Sequence, residues 1–345
     1  MHTLSRLLVA SATLLWSGSS LGSAQQLSGS QILRLDPALN RLIAPTATLE
    51  TVSGGYKFVE GPMWHGNRLW FSDEEGGIVH AITPDGPNAG QDQVLVDFTK
   101  EPFGRADGAR IGPNAMATAA DGSVVMAQQY ARAVIQLKGT GEASDPVHPV
   151  PFFDSFEGKH LNSPNDLVFL PDGSFYFSDP PYGLKGRDAD PAKEIPFNAV
   201  FHYKDGKLTP VIKDLTLPNG VALSPDHRTL YVNNSGPAQR VIAYPLHADG
   251  TVGDAHDVIT FTGQEGHGVP DGLKVDAEGN IWTTGPGGIR IVTPAGKVLG
   301  QLQLPETAAN LAWGGPDGRT LYITASTHIY RLHTLVKGNL PVFHR

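Results

Sequence analysis

The chain contains no cysteine, which excludes a disulfide framework, a thiolate nucleophile and a cysteine-ligated metal, and leaves stability to an apolar core and any bound ion. The absence is neutral on compartment. Basic residues are in short supply: 26 Lys and Arg against 34 Asp and Glu give a formal charge of -8. Such a balance argues against nucleic-acid or anionic-membrane surfaces, which need clustered cations. Runs long enough to cross a bilayer are also missing, since the apolar stretch at residues 7–16 is too short. With His2 and Arg6 before it and Gly22 and Ala24 after it, that stretch reads as a signal peptide over residues 1–24. The expectation is a secreted or periplasmic protein with no membrane or nucleic-acid partner, an N-terminal extension at 25–45 and one domain at 46–345.

What is abundant is turn-forming residues, with 40 Gly and 27 Pro, as short strands joined by tight loops require. Six stretches repeat one pattern: EGPMWHGNRLWFSD from Glu60, PNAMATAADGSVVMAQQ from Pro113, PNDLVFLPDGSFYFSD from Pro164, PNGVALSPDHRTLYVNN from Pro218, PDGLKVDAEGNIWTTG from Pro270 and ANLAWGGPDGRTLYITAS from Ala309. Each has a polar residue, an apolar run, a turn and a second strand rich in aromatic and β-branched residues, and so reads as a β-hairpin. The polar positions, Glu60, Asn114, Asn165, Asn219, Asp271 and Asn310, are 54, 51, 54, 52 and 39 residues apart. Such spacing holds about four short strands, the size of a propeller blade. The chain is therefore predicted to be all-β, a six-bladed β-propeller of four-stranded blades. Its last unit lacks one strand, which residues 47–53 (ATLETVS) are expected to supply, closing the ring. A β-sandwich would not explain six hairpins in phase. Trp64, Trp70, Trp282 and Trp313 fall on strand patterns and read as packing between blades, and GPGGIR at Gly285 as a tight turn.

First strands line the channel of a propeller, so residues in one phase converge on its axis. Here they are one Glu, one Asp and four Asn. Asn and Asp also simply begin turns, but six oxygen-bearing side chains in phase suit a hard divalent cation, whose charge Glu60 and Asp271 together balance. Calcium is the expected ion, ahead of Mg²⁺, with Mn²⁺ or Zn²⁺ as further substitutes; Zn²⁺ would favour His or Cys at this phase.

The motifs EGPMW, LNSPNDLVFLPDGSFYFSDPPYGL, LPNGVALSPDHRTLYV, VPDGLKVDAEGNIW and NLAWGGPDGRTLYITAS resemble the SMP-30/gluconolactonase/luciferin-regenerating-enzyme family, in particular its bacterial gluconolactonases, over residues 55–335. The resemblance implies a six-bladed propeller with an axial divalent ion and hydrolysis of aldonolactones such as glucono-1,5-lactone. It carries the metal ligands onto Glu60, Asn219 and Asp271, with Asn165 as a fourth ligand or a water-bridged neighbour, and a general-base role onto Asp271. Relatives often have CEHG where this chain reads AQQY from Ala127, and Arg in place of His160.

In the mechanism expected here the cation polarises the lactone carbonyl and Asp271 accepts the proton of the attacking water, with a purely ligating Asp271 as the alternative and His160 or His267 as other candidate bases. Second strands return to the metal face, bringing Asp73, Gln128, Asp179 and Asn233 to the mouth; these could hold sugar hydroxyls or cap loop backbone. Candidate substrate contacts are Asn114, Asn165, Gln129, Asp179, Tyr182, His160, His267 and Asn310, with residues 180–198 as a lid or a surface loop. The partner expected is a small sugar lactone, and the protein a monomer or weak homo-oligomer. Two alternatives stand beside the lactonase: a hydrolase of other esters or organophosphates at the same centre, and a non-catalytic propeller plugged by calcium.

Overall fold

The computed structural model describes residues 29–100, 112–261, 263 and 266–343. The expected signal peptide at 1–24 lies outside them. Six antiparallel units with four-stranded blades form the molecule, and each innermost strand carries one of the in-phase polar residues or begins two positions after it. The innermost strands are Val59–His65, Pro113–Thr118, Leu167–Phe169, Pro218–Leu223, Leu273–Val275 and Ala308–Gly314. Numbered in that order, blades 1 to 4 are built from consecutive strands within residues 59–97, 113–153, 167–212 and 218–260.

Ring closure follows the sequence expectation with a small displacement. The strand Glu50–Gly54 pairs with His328–His333 and becomes the outer strand of blade 6, with Glu50 opposite Arg331. The Arg331 guanidinium donates to Glu50 Oε2 at 2.8 Å and to Asp85 Oδ1 of blade 1 at 2.7 Å. It therefore fastens the seam where the first and last parts of the chain meet.

The N-terminal extension is part of the fold, a role its composition did not signal. Gln31–Arg34 adds a fifth strand to blade 5 by pairing with Val298–Gln303. The single helical turn Leu39–Leu42 then drives Leu39 and Leu42, both essentially inaccessible, into the apolar layer between blades 5 and 6.

That layer is one of six. The buried apolar residues divide into clusters lying between blades 5 and 6, 1 and 2, 2 and 3, 3 and 4, 4 and 5, and 6 and 1. Strand alternation explains the division, because each sheet presents a face to either neighbour. Tryptophans pack as expected: Trp282 meets Trp313 edge-on at 5.3 Å, Trp64 stacks on Tyr322 at 5.6 Å, and Trp70 is buried in the layer between blades 1 and 2.

The C-terminal segment crosses the ends of several blades. Asn339 donates from its backbone to Val275 O and from its carboxamide to Leu223 O, Gly338 N donates to Gly318 O, and Phe343 lies edge-on to Phe169. Residues 339–342 thus form one wall of an axial cavity of about 90 Å³, whose other walls include Met63, Met116, Leu167, Val221 and Val275.

Two predictions follow from the packing. Leu42→Ala empties a site that cannot readily collapse and should lower unfolding free energy by about 2–5 kcal/mol in urea titrations. His202, buried against Tyr176 with ring centroids 4.7 Å apart, has its pKa held below the usual imidazole value by desolvation. A depressed imidazole pKa means that the unfolded chain binds the extra proton first, so stability falls as pH drops below about 6.5. His202→Gln should lose less stability than wild type between pH 7.5 and 5.5 in the same titrations.

Candidate functional site

Backbone geometry builds the axial site first. At the starts of the inner strands, one hydrogen bond or more crosses every seam: Val59 N to Ser326 O at 2.8 Å, Ser72 Oγ to Asn114 O at 2.8 Å, Ala115 N to Asn165 O at 3.2 Å, Val221 N to Asp166 Oδ2 at 3.2 Å, Gly220 N to Asp271 O at 3.0 Å and Gly272 N to Ala309 O at 2.8 Å. Glycine permits this closeness. A Cβ on Gly61, whose φ is 53°, would stand 2.4 Å from Asn114 O, and one on Gly220 would stand 2.4 Å from Asp271 O. The motifs EGP and PNG therefore follow each polar residue with the one side chain that lets the blades meet.

On this frame Glu60, Asn219 and Asp271 come together. Glu60 is buried, with Oε2 accepting from the Gly61 N–H. Burial, reinforced by the Asp271, Asp166 and Glu74 carboxylates, pushes its pKa well above the ordinary range. The Asp271 carboxyl is pushed up to about 8, chiefly by desolvation and then by Glu74, with Asn219 hydrogen-bonding against the shift. Asp271 is also held firmly by its backbone: its N–H donates to Thr284 Oγ1 at 2.7 Å, and its carbonyl accepts from Asn233 Nδ2 at 2.7 Å. Asn219 Nδ2 donates to Ser235 Oγ at 3.0 Å and to the Tyr182 hydroxyl at 3.4 Å. Tyr182, from the start of the 180–198 loop, thus belongs to the same cluster, and desolvation pushes its phenol up to about 12.

The donor set fits a hard cation. It offers two desolvated carboxyls short of positive charge, the buried Glu60 and the part-buried Asp271, with the Asn219 carboxamide, and in the same phase the buried Asn165, whose carboxamide has no hydrogen-bond partner among the described residues. Asn114 Oδ1 on the neighbouring strand is likewise buried without a partner. Among the described residues no three His, Cys, Asp or Glu side chains group as a metal site, so a cation here would rely on carboxamide oxygens, as Ca²⁺ readily does.

The remaining candidates separate. Asp179 accepts from Asn162 N at 2.8 Å and Ser163 N at 2.6 Å, and so shapes the turn that leads to Asn165. Asp73 does the same for Lys57 N and Phe58 N ahead of Glu60, and Asn233 is spent on the Asp271 segment. Gln128 and Gln129 are buried; among the described residues neither end of the Gln128 carboxamide is paired, and Gln129 Oε1 has no partner. The Asn310 carboxamide turns to Leu311 N at 2.8 Å and Lys274 Nζ at 3.3 Å, and it lines the axial cavity closed by the C-terminal segment. His160 is exposed and bonds Glu194 Oε1 at 2.7 Å; His267 is exposed, and its ring makes no hydrogen bond among the described residues.

Two acidic residues of the site escaped sequence reasoning. Asp166, one position beyond Asn165, caps the start of its strand through Leu167 N at 2.8 Å, bonds Val221 N across the seam and faces Lys274 at 3.5 Å. Glu74, one position beyond Asp73, raises the pKa of both axial carboxyls. The PND and FSDE strings held the only available signal.

Comparison with known proteins identifies the family and agrees with the fold. Residues 58–327 match the SMP-30/Gluconolactonase/LRE-like region. The gluconolactonase of Zymomonas mobilis is 32% identical over 346 aligned positions, covering 95% of this chain and 93% of that protein. A gluconolactonase structure from Xanthomonas campestris superposes with a TM-score of 0.73 at 26% identity over 91% of this chain and 99% of its own. The calcium-binding protein regucalcin from Agrobacterium tumefaciens shares the fold, with a TM-score of 0.64 at 20% identity over 86% of this chain and 96% of its own. The chain belongs to the SMP-30/gluconolactonase/LRE-like family.

Proposed function

We propose that the protein is a lactonase, hydrolysing a sugar lactone such as glucono-1,5-lactone to the aldonic acid at an axial divalent cation, calcium by preference. The observation that carries this reading is the meeting of Glu60, Asn219 and Asp271 on the axis beneath Tyr182, in a chain whose full-length relative is a gluconolactonase. Glu60, Asn219 and Asp271 would hold the cation, with Asn165 beside them. When bound, the ion would supply positive charge against the oxyanion that develops in acyl transfer.

The chain's own groups perform the rest. Asp271, fixed by Thr284, Asn233 and Gly220, would take the proton of the water that adds to the carbonyl carbon. Cleavage of the acyl–oxygen bond then releases the ring oxygen as a hydroxyl and the acyl group as a carboxylic acid, which gives up its proton at neutral pH. The Tyr182 hydroxyl, beside Asn219 and Ser235, would hold a hydroxyl of the lactone. The histidine alternatives have weaker support: His160 is engaged with Glu194, and the His267 ring makes no hydrogen bond among the described residues.

Two experiments test the proposal. EDTA-treated protein assayed by pH-stat should lose glucono-1,5-lactone hydrolysis and regain it with Ca²⁺, more than with Mg²⁺, Mn²⁺ or Zn²⁺; folded protein that stays at the spontaneous rate with every ion would move the function to another ester or to binding. Asp271→Asn should lower kcat by about 10²- to 10⁴-fold under calcium concentrations at which calorimetry shows the ion bound. Full turnover in that state would leave Asp271 a ligand only.

A further inference from the structure

The 180–198 loop is fastened on several sides. Asp188 Oδ1 accepts from Asn198 Nδ2 at 2.9 Å, and Asp190 Oδ2 accepts from Gly186 N at 2.7 Å. The buried Arg132 donates to the carbonyls of Leu161, Ala192 and His160 at 2.6, 3.0 and 3.3 Å, which binds the loop to the 155–160 hairpin. Lys193 Nζ is likewise engaged, by Ile195 O at 2.7 Å.

Arg187 differs from these cations. It is exposed, forms no ion pair among the described residues, and rests its guanidinium 5.1 Å from the centroid of the Tyr182 ring. A cation over an aromatic face is held without being neutralised. Its backbone has φ of 49°, a left-handed conformation that Gly or Asn adopts at lower cost. The far end of the same ring bonds Asn219, so Arg187 stands one aromatic side chain away from the axial cluster.

From this placement, and resting on the lactonase reading, we propose that Arg187 is a specificity-determining residue that pairs with an oxyanion on the end of the lactone distal to the reacting carbonyl. The preferred substrate class is then an acidic sugar lactone, carrying a terminal phosphate, sulfonate or carboxylate, rather than a neutral one. The axial cluster would take the reacting carbonyl end, while the rim, where Arg187 lies exposed on the Tyr182 ring, would take the anionic end. A planar guanidinium matches such a group with two parallel hydrogen bonds.

The test uses the full mature protein with calcium and has a binding arm that needs no turnover. By calorimetry, 6-phosphogluconate should bind about tenfold or more tightly than gluconate, the ratio expected of a charge-assisted hydrogen bond. Arg187→Gln should abolish the difference, Arg187→Lys should restore part of it, and added salt should erode it. In turnover, Arg187→Gln should reduce kcat/KM for 6-phosphogluconolactone and for glucaro-1,4-lactone about tenfold more than for glucono-1,5-lactone, mainly through KM; the two acidic lactones distinguish a phosphate from a carboxylate terminus. Equal affinity of wild type for the two acids, or a preference that survives in Arg187→Gln, would overturn the proposal whether or not any lactone is hydrolysed. Failure of all lactones with the binding preference intact would overturn the lactonase reading alone.

Discussion

Glu60 and Asp271 are carboxyls drawn to one axis from blades 1 and 5, with blade 6 between them, and their desolvation together is the constraint on which the rest of the site depends. Neither carries charge comfortably there, because desolvation and the neighbouring Asp166 and Glu74 raise their pKa values. The surroundings supply only partial relief: a glycine N–H for Glu60, a carboxamide for Asp271, and backbone dipoles at each seam. A divalent cation would resolve the conflict outright, which is why the same arrangement that destabilises the bare carboxylates favours an oxygen-ligated ion. The seam hydrogen bonds keep the blades from spreading to relieve the repulsion. Six apolar layers, one behind each seam, resist the same displacement.

Much of the fold was legible because a propeller repeats its own syntax. Hairpins in phase, the missing last strand and its donor near residue 50 all follow from counting and alternation, since each blade must bury both faces and leave no open edge. The fifth strand of blade 5 and the helical turn at Leu39 were not legible, because an edge strand added outside a complete blade obeys no repeat. Nor was the C-terminal segment, which crosses several blades through isolated backbone bonds rather than through a periodic strand.

The site was read less completely, and the reason is chemical ambiguity. Asp73, Asp179 and Asn234 occupy similar places at the ends of second strands, and each turns its side-chain oxygen to backbone N–H groups about 16 residues upstream, at Phe58, Ser163 and Leu217. These oxygens shape the turns that deliver Glu60, Asn165 and Asn219. An oxygen that caps a turn and one that receives a sugar hydroxyl look alike in a sequence. Asn310 shows the same limit: it keeps the phase of the ring, but Lys274, on the next blade, draws its carboxamide towards the opposite end of the channel. Conversely, Asp166 and Glu74 lie one residue out of phase and gain their influence only through the close approach of neighbouring strands.

Access to the axis follows from what covers its two ends. On one side, residues 339–342 and the apolar inner strands close a cavity of about 90 Å³, a volume closer to a few waters than to a hexose. The Asp166–Lys274 pair lies along this end, tied to Asn310 and the strand of blade 4. On the other side lie Tyr182, Ser235 and the 180–198 loop, with its backbone pinned and its guanidinium outward. A sugar lactone of the kind proposed would approach the carboxyls from that side, and the groups it met would be set by the loop rather than by the ring. Because the ring is locked by contacts at every seam while the loop is attached at separate points, changes in the loop can alter what is recognised without disturbing the axial carboxylates.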